Sequence, residues 1–326
     1  MKALVWLGPE RMEVQEQAEP RPGPGQVVVR TEAAGICGSE VEGYLGRMAN
    51  RVPPLVMGHE YAGLVTETGP GADPSWLGRR VAVNPIVGCG RCAYCQAADR
   101  NLCLDRHLIG IGAAGGFAEF TAVPERCLFE LPAGMDARLG ALVEPLANGV
   151  HALRKSGVEA PGRVVVIGAG TIGLGCLQAA LLQGAGQVTV VERHPARRRH
   201  ALALGAQAAT AELGEAGPGA DLVIDAAGSA ATRRAAVDLL GPAGTAVLIG
   251  LHEDETPLPW HRVIRSNLRL QGVFGYADAD FQQALDWLAA GRAAIPLSDV
   301  RPLAAGPEAF RALAAGPIEE IKIFLA

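Results

Sequence analysis

Two textures of apolar patterning divide the chain. Up to about residue 130, short β-branched runs such as Val27–Arg30, Gly63–Glu67 and Arg80–Val83 sit between Gly and Pro punctuation, which predicts a turn-rich, all-β region. From about residue 160 the runs lengthen and alternate. Val164–Ile167 is continuously apolar, the mark of a strand buried on both faces. A helical stretch through Leu181 comes next, then the strand Val188–Val191, a helix to Leu204, the strand Asp221–Asp225, a helix near Ala230–Leu240 and the strand Ala246–Ile249. Strand and helix alternating in this way predict right-handed βαβ units on a parallel sheet. After about residue 272 the pattern is mixed, and the chain closes on the strand-like Ile321–Leu325. Glu212–Gly219 reads as a mobile loop. The predicted class is α/β plus β: a β-rich domain over 1–147, a doubly wound α/β insert over 148–272, and a return to the first domain over 273–326.

Composition narrows the function classes. At 326 residues, with 49 % apolar and 19 % charged positions, the chain has the makeup of a globular protein of about two domains. Its net charge of −5 is spread without long runs, so it offers no basic footprint for nucleic acid or an anionic membrane. No apolar stretch is long enough to span a bilayer, and Met1-Lys2-Ala3-Leu4-Val5-Trp6 runs straight into strand-like sequence instead of a leader. A cytoplasmic protein acting on small molecules is expected.

Candidate chemistry begins with Cys89, Cys92, Cys95 and Cys103, spaced C-x2-C-x2-C-x7-C. Thiols this close can wrap one tetrahedral Zn²⁺, and a closed four-cysteine shell holds a loop in place, here a lobe over about 86–106. Disulfides are the competing explanation. They are disfavoured by the absence of a leader, by a chain large enough to bury its own core, and by the scatter of Cys37, Cys127 and Cys176.

Gly168-Ala169-Gly170-Thr171-Ile172-Gly173 has the G-x-G-x-x-G form directly after a buried strand. The first glycine permits a tight turn, the second lets backbone approach a pyrophosphate, and the third lets helix pack on strand. The helix start then offers N–H groups and a positive dipole end to phosphate. Glu192 ends the next strand, where a carboxylate accepts the adenosine ribose hydroxyls and repels a 2′-phosphate, favouring NAD over NADP. Arg193 and Arg197 sit beside it and could pair with such a phosphate. A ligand-free turn is the bland alternative.

Cys37, His59, Glu60 and Glu144 form a second group of metal-type ligands, outside the cysteine lobe. Thiolate, imidazole and carboxylate together suit zinc. Each also has an ordinary explanation when taken singly: a small buried thiol, a core histidine, a helix-start carboxylate.

Together these features resemble the zinc-containing medium-chain dehydrogenases, the superfamily of alcohol, sorbitol and threonine dehydrogenases. The resemblance runs through Cys37-Gly38-Ser39, Gly58-His59-Glu60, the cysteine lobe, Gly115–Phe120, Glu144-Pro145-Leu146 and the glycine turn. It implies a GroES-like catalytic domain with an inserted Rossmann domain, two zinc ions per chain, and a homodimer or homotetramer. Cys37 and His59 would bind the catalytic zinc, with Glu60 and Glu144 competing as further ligands. Ser39 would take the alcohol proton. Ile249, Gly250, Leu251, Val273 and Phe274 would join the glycine turn, Glu192, Arg193 and Arg197 around the dinucleotide.

Departures from the family pattern bear on substrate. Glu42 stands where many relatives carry a relay histidine; as a carboxylate it could still accept a proton. Glu40 replaces an aspartate that supports the ligand histidine, and one extra methylene should shift that contact. Gly43 and Gly275 occupy slots where sorbitol-type enzymes present a tyrosine and an arginine, with Tyr44 and Tyr276 adjacent. Asn148 and His151 resemble threonine dehydrogenases faintly, and Lys322 aligns with a basic residue that can approach the pyrophosphate. The expected activity is NAD- and zinc-dependent interconversion of a secondary alcohol, diol or polyol with its ketone. The alternatives are an NADP-linked aldehyde or ketone reductase, a threonine 3-dehydrogenase-like enzyme, and a non-enzymatic dinucleotide-binding protein.

Overall fold

The computed structural model describes residues 1–316 and 318–326. The chain forms two compact units. The first comprises Met1–Glu144, Ala277–Ala289 and Pro296–Ala326, the second Pro145–Tyr276 and Ala290–Ile295.

The first unit is built on β-sheet. A small antiparallel sheet orders β2 (Arg11–Glu16), β1 (Lys2–Gly8) and β4 (Leu55–Val56), and a two-stranded pair joins β7 (Ile86–Val87) to β8 (His107–Leu108). The main sheet runs β10 (Leu128–Glu130), β6 (Arg80–Val83), β5 (Glu60–Thr68), β3 (Gln26–Gly35), β18 (Phe324–Leu325) and β17 (Val300–Arg301), with β9 (Phe120–Pro124) also paired to β3. Its core gathers Leu4, Met57, Tyr61, Phe117 and Phe310, the last two rings meeting edge to face at 5.8 Å. Val27 and Val29 of β3, and Val81 and Val83 of β6, alternate along their strands into this core.

Register in the main sheet gathers residues that lie far apart in the chain. The end of β3 lies opposite the start of β5, with Gly35 facing Glu60. On its other side Gly35 faces Phe324 of β18. Three segments distant in sequence, at Cys37, His59–Glu60 and Lys322, are therefore delivered to one edge. The closing strand is shorter than the sequence pattern predicts, only Phe324–Leu325. Just before it Lys322 turns inward, its carbonyl taking the Ser298 hydroxyl and its ammonium running to Glu60.

The second unit is a six-stranded sheet whose neighbouring strands all pair in parallel. Its order is β13 (Ala208–Thr210), β12 (Gln187–Val191), β11 (Arg163–Ile167), β14 (Ala220–Asp225), β15 (Leu240–Leu248) and β16 (Arg269–Gly272). Helices Thr171–Leu182, Pro195–Ala203 and Ala230–Leu239 connect successive strands. The order in which strands are added reverses between β11 and β14, which puts a ligand crevice at their carboxyl ends. Val164, Val165, Val166, Leu222, Val223 and Ile224 are fully buried, as the continuous apolar runs require. The Glu212–Gly219 segment is not a loose loop. It contains the short turn Leu213–Ala216, closed by a reciprocal Glu212–Glu215 cap, and the Arg163 guanidinium ties down the carbonyls of Ala216, Gly217 and Pro218.

Candidate active site

Ligand atoms of Cys37, His59 and Glu60 all lie within 4.8 Å of one another at the edge where β3 and β5 meet. His59 and Glu60 are buried, and Cys37 is partly exposed. Behind them Glu40 is fully buried in the short helix Gly38–Tyr44. Its Oε1 accepts from Gly58 N at 2.8 Å, His59 N at 3.1 Å and His59 Nδ1 at 2.9 Å, and its Oε2 accepts from Cys37 N at 2.9 Å. The extra methylene relative to aspartate therefore does not forfeit the histidine contact. The glutamate reaches both ligand segments at once and orients His59 so that Nε2 is left for a metal.

The electrostatics describe a site that wants a cation. Burial alone would raise Glu40, but the facing His59 charge and the hydrogen bonds from His59 and Cys37 outweigh it and hold the carboxyl below its ordinary range. Burial alone would lower His59, yet the charges of Glu40 and Cys37 and their hydrogen bonds keep the imidazole well above its usual value. A proton held that firmly among a thiol and two carboxylates marks the place of a positive charge. Glu60 adds a direct sign: its Oε2 takes the Lys322 ammonium, while its buried Oε1 has no hydrogen-bond partner among the described residues. An orphaned carboxylate oxygen beside a thiol and an imidazole fits a zinc ligand set.

The other expected residues are more scattered. Glu144 is buried in the first turn of helix Val143–Ser156 and stands outside the Cys37–His59–Glu60 group. Ser39 Oγ donates to Cys37 Sγ at 3.4 Å. Glu42 is not brought to Ser39; its carboxylate faces Arg47 on the surface at 3.4 Å. Lys322 is not a pyrophosphate contact, because its buried ammonium is spent on Glu60 and the Ile36 carbonyl. Sequence reasoning misses Arg51, which is 4 % exposed and donates through Nη2 to Ser39 Oγ at 3.3 Å. Its only trace in the sequence is Gly43, a glycine inside a helix, where that residue is unfavourable.

In the cysteine lobe, Cys89, Cys92, Cys95 and Cys103 also lie with their sulfurs within 4.8 Å of one another. All seven cysteines are free thiols. N–H groups of Arg91 and Cys92 pull the Cys89 thiol down to about 6. Burial and bonds from the other three thiols push Cys95 up to about 11. Four thiols at this spacing cannot all ionise without a cation among them, so the donor set fits a closed zinc site.

The glycine turn has the shape a dinucleotide needs. Gly168 has φ +97°, a Cβ on Gly170 would meet nothing within 4 Å, and one on Gly173 would collide with the Gly168 carbonyl. Open space above the second glycine is where a pyrophosphate would approach, with Thr171 and Ile172 opening the helix behind it. Glu192 folds against this turn: its Oε2 accepts from Ala169 N at 2.9 Å and its Oε1 from His194 N at 2.8 Å. Arg193 and Arg197 flank it without pairing to its carboxylate, and Arg197 Nε is buried without a hydrogen-bond partner among the described residues. Ile249 and Gly250 come after β15, their N–H groups on the Asp225 carbonyl, and Val273 comes after β16, donating to Leu248 O. Leu251 and Phe274 are exposed. All these positions lie at the carboxyl ends of the parallel strands.

Residues 23–133 match the family described as alcohol dehydrogenase GroES-like domain, and residues 171–290 match zinc-binding dehydrogenase. The chain belongs to the zinc-containing medium-chain dehydrogenase superfamily. Among its relatives is the 2-dehydro-3-deoxy-L-galactonate 5-dehydrogenase of Pseudoalteromonas atlantica, 32 % identical over 97 % of this chain and 96 % of that protein. Sorbitol dehydrogenase of Halalkalibacterium halodurans is 33 % identical over 88 % of each chain. In three dimensions the chain is similar to a zinc-binding dehydrogenase of Sinorhizobium meliloti bound to NADP, with TM-score 0.91, 32 % identity, and coverage of 99 % of this chain and 98 % of that one. Membership makes this medium-chain dehydrogenase an oxidoreductase with a GroES-like and a Rossmann unit. Among its described residues no helix is long and apolar enough to cross a membrane.

Proposed function

We propose that this dehydrogenase interconverts the secondary alcohol of a diol or polyol with its ketone, using zinc and NAD. The convergence of Cys37, His59 and Glu60, with Glu40 locked behind them, carries the reading. When bound, zinc supplies a Lewis acid for the substrate oxygen and the nicotinamide supplies the hydride acceptor. Cys37, His59 and Glu60 would hold the ion, and Glu40 fixes Nδ1 of His59 as the donor so that the Nε2 lone pair faces it. Between the two carboxylates expected to compete, the partnerless Oε1 favours Glu60 over Glu144. Ser39, beside Cys37, accepts the proton that leaves the alcohol. As it does so its own hydrogen leaves to solvent water and not to Glu42, which is turned toward Arg47. The four-cysteine lobe would hold a second, structural zinc.

For the cofactor, the Glu192 carboxylate anchored at the glycine turn supports NAD, since it would repel a 2′-phosphate. NADP is the second reading: Arg193 and Arg197 adjoin Glu192, and the Sinorhizobium relative carries NADP. The polyol class rests on the relatives, which act on sorbitol and on a galactonate derivative. A homodimer or homotetramer is supported by the exposed apolar side chains Trp260 and Ile264 on the second unit. A cytoplasmic setting is supported by seven free thiols.

The test tracks absorbance of the reduced nicotinamide across secondary alcohols, diols, pentitols, hexitols, aldonates and L-threonine with each cofactor. Turnover of a polyhydroxylated substrate with a kcat/KM ratio favouring NAD is expected. A large preference for NADP overturns the role given to Glu192, and inactivity of zinc-loaded protein on the whole panel overturns the function.

A further inference from the structure

We infer that Arg233 is a positioning residue that holds the loop after β15 in the shape that receives the nicotinamide end of the cofactor, an inference that rests on the dinucleotide reading above. β14 borders the crevice, and β15 is its neighbour on the other side. The turns that follow these two strands touch at glycines. A Cβ on Gly228 would stand 2.2 Å from Gly250 C, and one on Gly250 would stand 2.3 Å from Gly228 N. Backbone bonds cross the same contact: Ile249 N and Gly250 N donate to the Asp225 carbonyl at 3.1 and 2.9 Å, and Glu253 N donates to Gly228 O at 3.0 Å. Arg233, on the helix Ala230–Leu239, closes the set. Its Nη2 donates to Gly250 O at 3.2 Å and its Nη1 to Thr256 Oγ1 at 3.4 Å.

These bonds fix two successive peptide planes. In a trans peptide the C=O and the N–H point in opposite directions. With Gly250 N held on Asp225, the Ile249 carbonyl points away from β14; with Gly250 O held on Arg233, the Leu251 N–H points away from the helix. Neither Ile249 O nor Leu251 N has a hydrogen-bond partner among the described residues. One acceptor and one donor, two residues apart, complement the NH2 and C=O of a carboxamide, the group that nicotinamide carries. Plain surface support explains Arg233 less well. The next residue, Arg234, pairs with Asp238 one turn on at 2.9 Å, the ordinary arrangement of an exposed helix face. Arg233 makes no such pair among the described residues, although the loop itself carries Glu253, Asp254 and Glu255, all exposed. Its fork goes instead to a carbonyl and a hydroxyl six residues apart, which a rigid planar guanidinium can hold at once.

The experiment titrates two ligands into the zinc-loaded protein by calorimetry: the reduced form of whichever nicotinamide cofactor the wild type prefers, and the matching ADP-ribose or its 2′-phosphate, which lacks the nicotinamide ring. Arg233→Met should weaken the reduced cofactor about tenfold, the scale of one hydrogen bond to a charged group. Affinity for the ring-less ligand should stay within about twofold. Arg233→Lys keeps the charge and can reach Gly250 O but cannot fork to Thr256, so its loss should fall between wild type and Arg233→Met. An equal loss on both ligands would show that Arg233 merely supports the whole crevice, and no loss on either would show that the loop needs no latch; both overturn the inference. If Arg233→Met does not fold, Thr256→Val removes one arm of the fork from the loop side. It should weaken the reduced cofactor about threefold and leave the ring-less ligand unchanged, and equal effects on the two would overturn the inference. Wild-type protein that binds neither ligand sinks the dinucleotide reading and the inference with it. Wild-type protein that binds both but oxidises no alcohol sinks the dehydrogenase reading alone, and the comparison of ligands still decides the role of Arg233.

Discussion

Replacing Glu40 with glutamine tests whether one buried carboxylate holds the metal site together. The carboxylate takes three N–H groups on Oε1 and one on Oε2, at 2.8–3.1 Å, and is fully buried. Glutamine can keep its oxygen at the Oε1 position and save three of these bonds, but its NH2 then faces the Cys37 N–H, donor against donor. Each surviving bond falls from charge-assisted to neutral, a loss of about 1 kcal/mol apiece, and the stranded Cys37 N–H costs about 1–3 kcal/mol more. The total is about 4–6 kcal/mol, at the upper end of the range of about 3–5 kcal/mol found when one member of a buried charged pair is removed. For a unit of this size, thermal unfolding should shift down by about 8–24 °C at about 2–4 °C per kcal/mol. A freed His59 ring should also weaken zinc at this site by about 10–100-fold, the usual effect of removing a ligand's support. Differential scanning calorimetry and chelator competition read the two effects. Glu40→Gln protein that melts within about 2 °C of wild type and retains both zinc ions would refute the reasoning.

Other outcomes are more direct. Gly170→Ala should leave thermal stability unchanged, since its Cβ meets nothing within 4 Å, yet weaken dinucleotide binding at least about tenfold by filling the phosphate cradle. Gly173→Ala should lower stability as well, because its Cβ collides with the Gly168 carbonyl; equal behaviour of the two variants in calorimetry and cofactor titration would contradict the roles assigned to them. Metal analysis should find about two zinc ions per chain. Cys37→Ser should remove one with activity while Cys95→Ser removes the other with stability, and loss of both ions from either variant would dissolve the division. Stability of metal-stripped protein should fall on both sides of neutrality. The raised His59 contributes stability that is complete below its ordinary 6.5 and is lost as pH rises through its elevated value. The lowered Glu40 contributes stability that is present above 4.5 and is lost as pH falls through its depressed value. Zinc replaces the His59 proton, so loaded protein should lack the alkaline loss in a melting-temperature profile against pH.

Local chemistry was legible in the residues themselves. The spacing of Cys89, Cys92, Cys95 and Cys103 confines four sulfurs to one turn-rich lobe whatever surrounds it. A glycine run after Val164–Ile167 dictates a tight strand-to-helix turn, because only glycine tolerates that backbone and that closeness. Continuous apolar runs beyond residue 160 mark strands covered on both faces, and their alternation with helices leaves a parallel sheet as the solution. Contacts between distant segments were not legible. Antiparallel register brings Gly35 opposite Glu60 and Phe324 opposite Gly35, so it alone decides that Lys322 meets Glu60 and not a phosphate. The direction of each side chain along the helix Gly38–Tyr44 decides that Glu40 turns inward to His59 while Glu42 turns outward to Arg47. Packing space decides the rest: the gap beside Gly43 admits Arg51 to Ser39, a partnership across sequence that no spacing rule encodes, since it arises only where two folded segments share a volume.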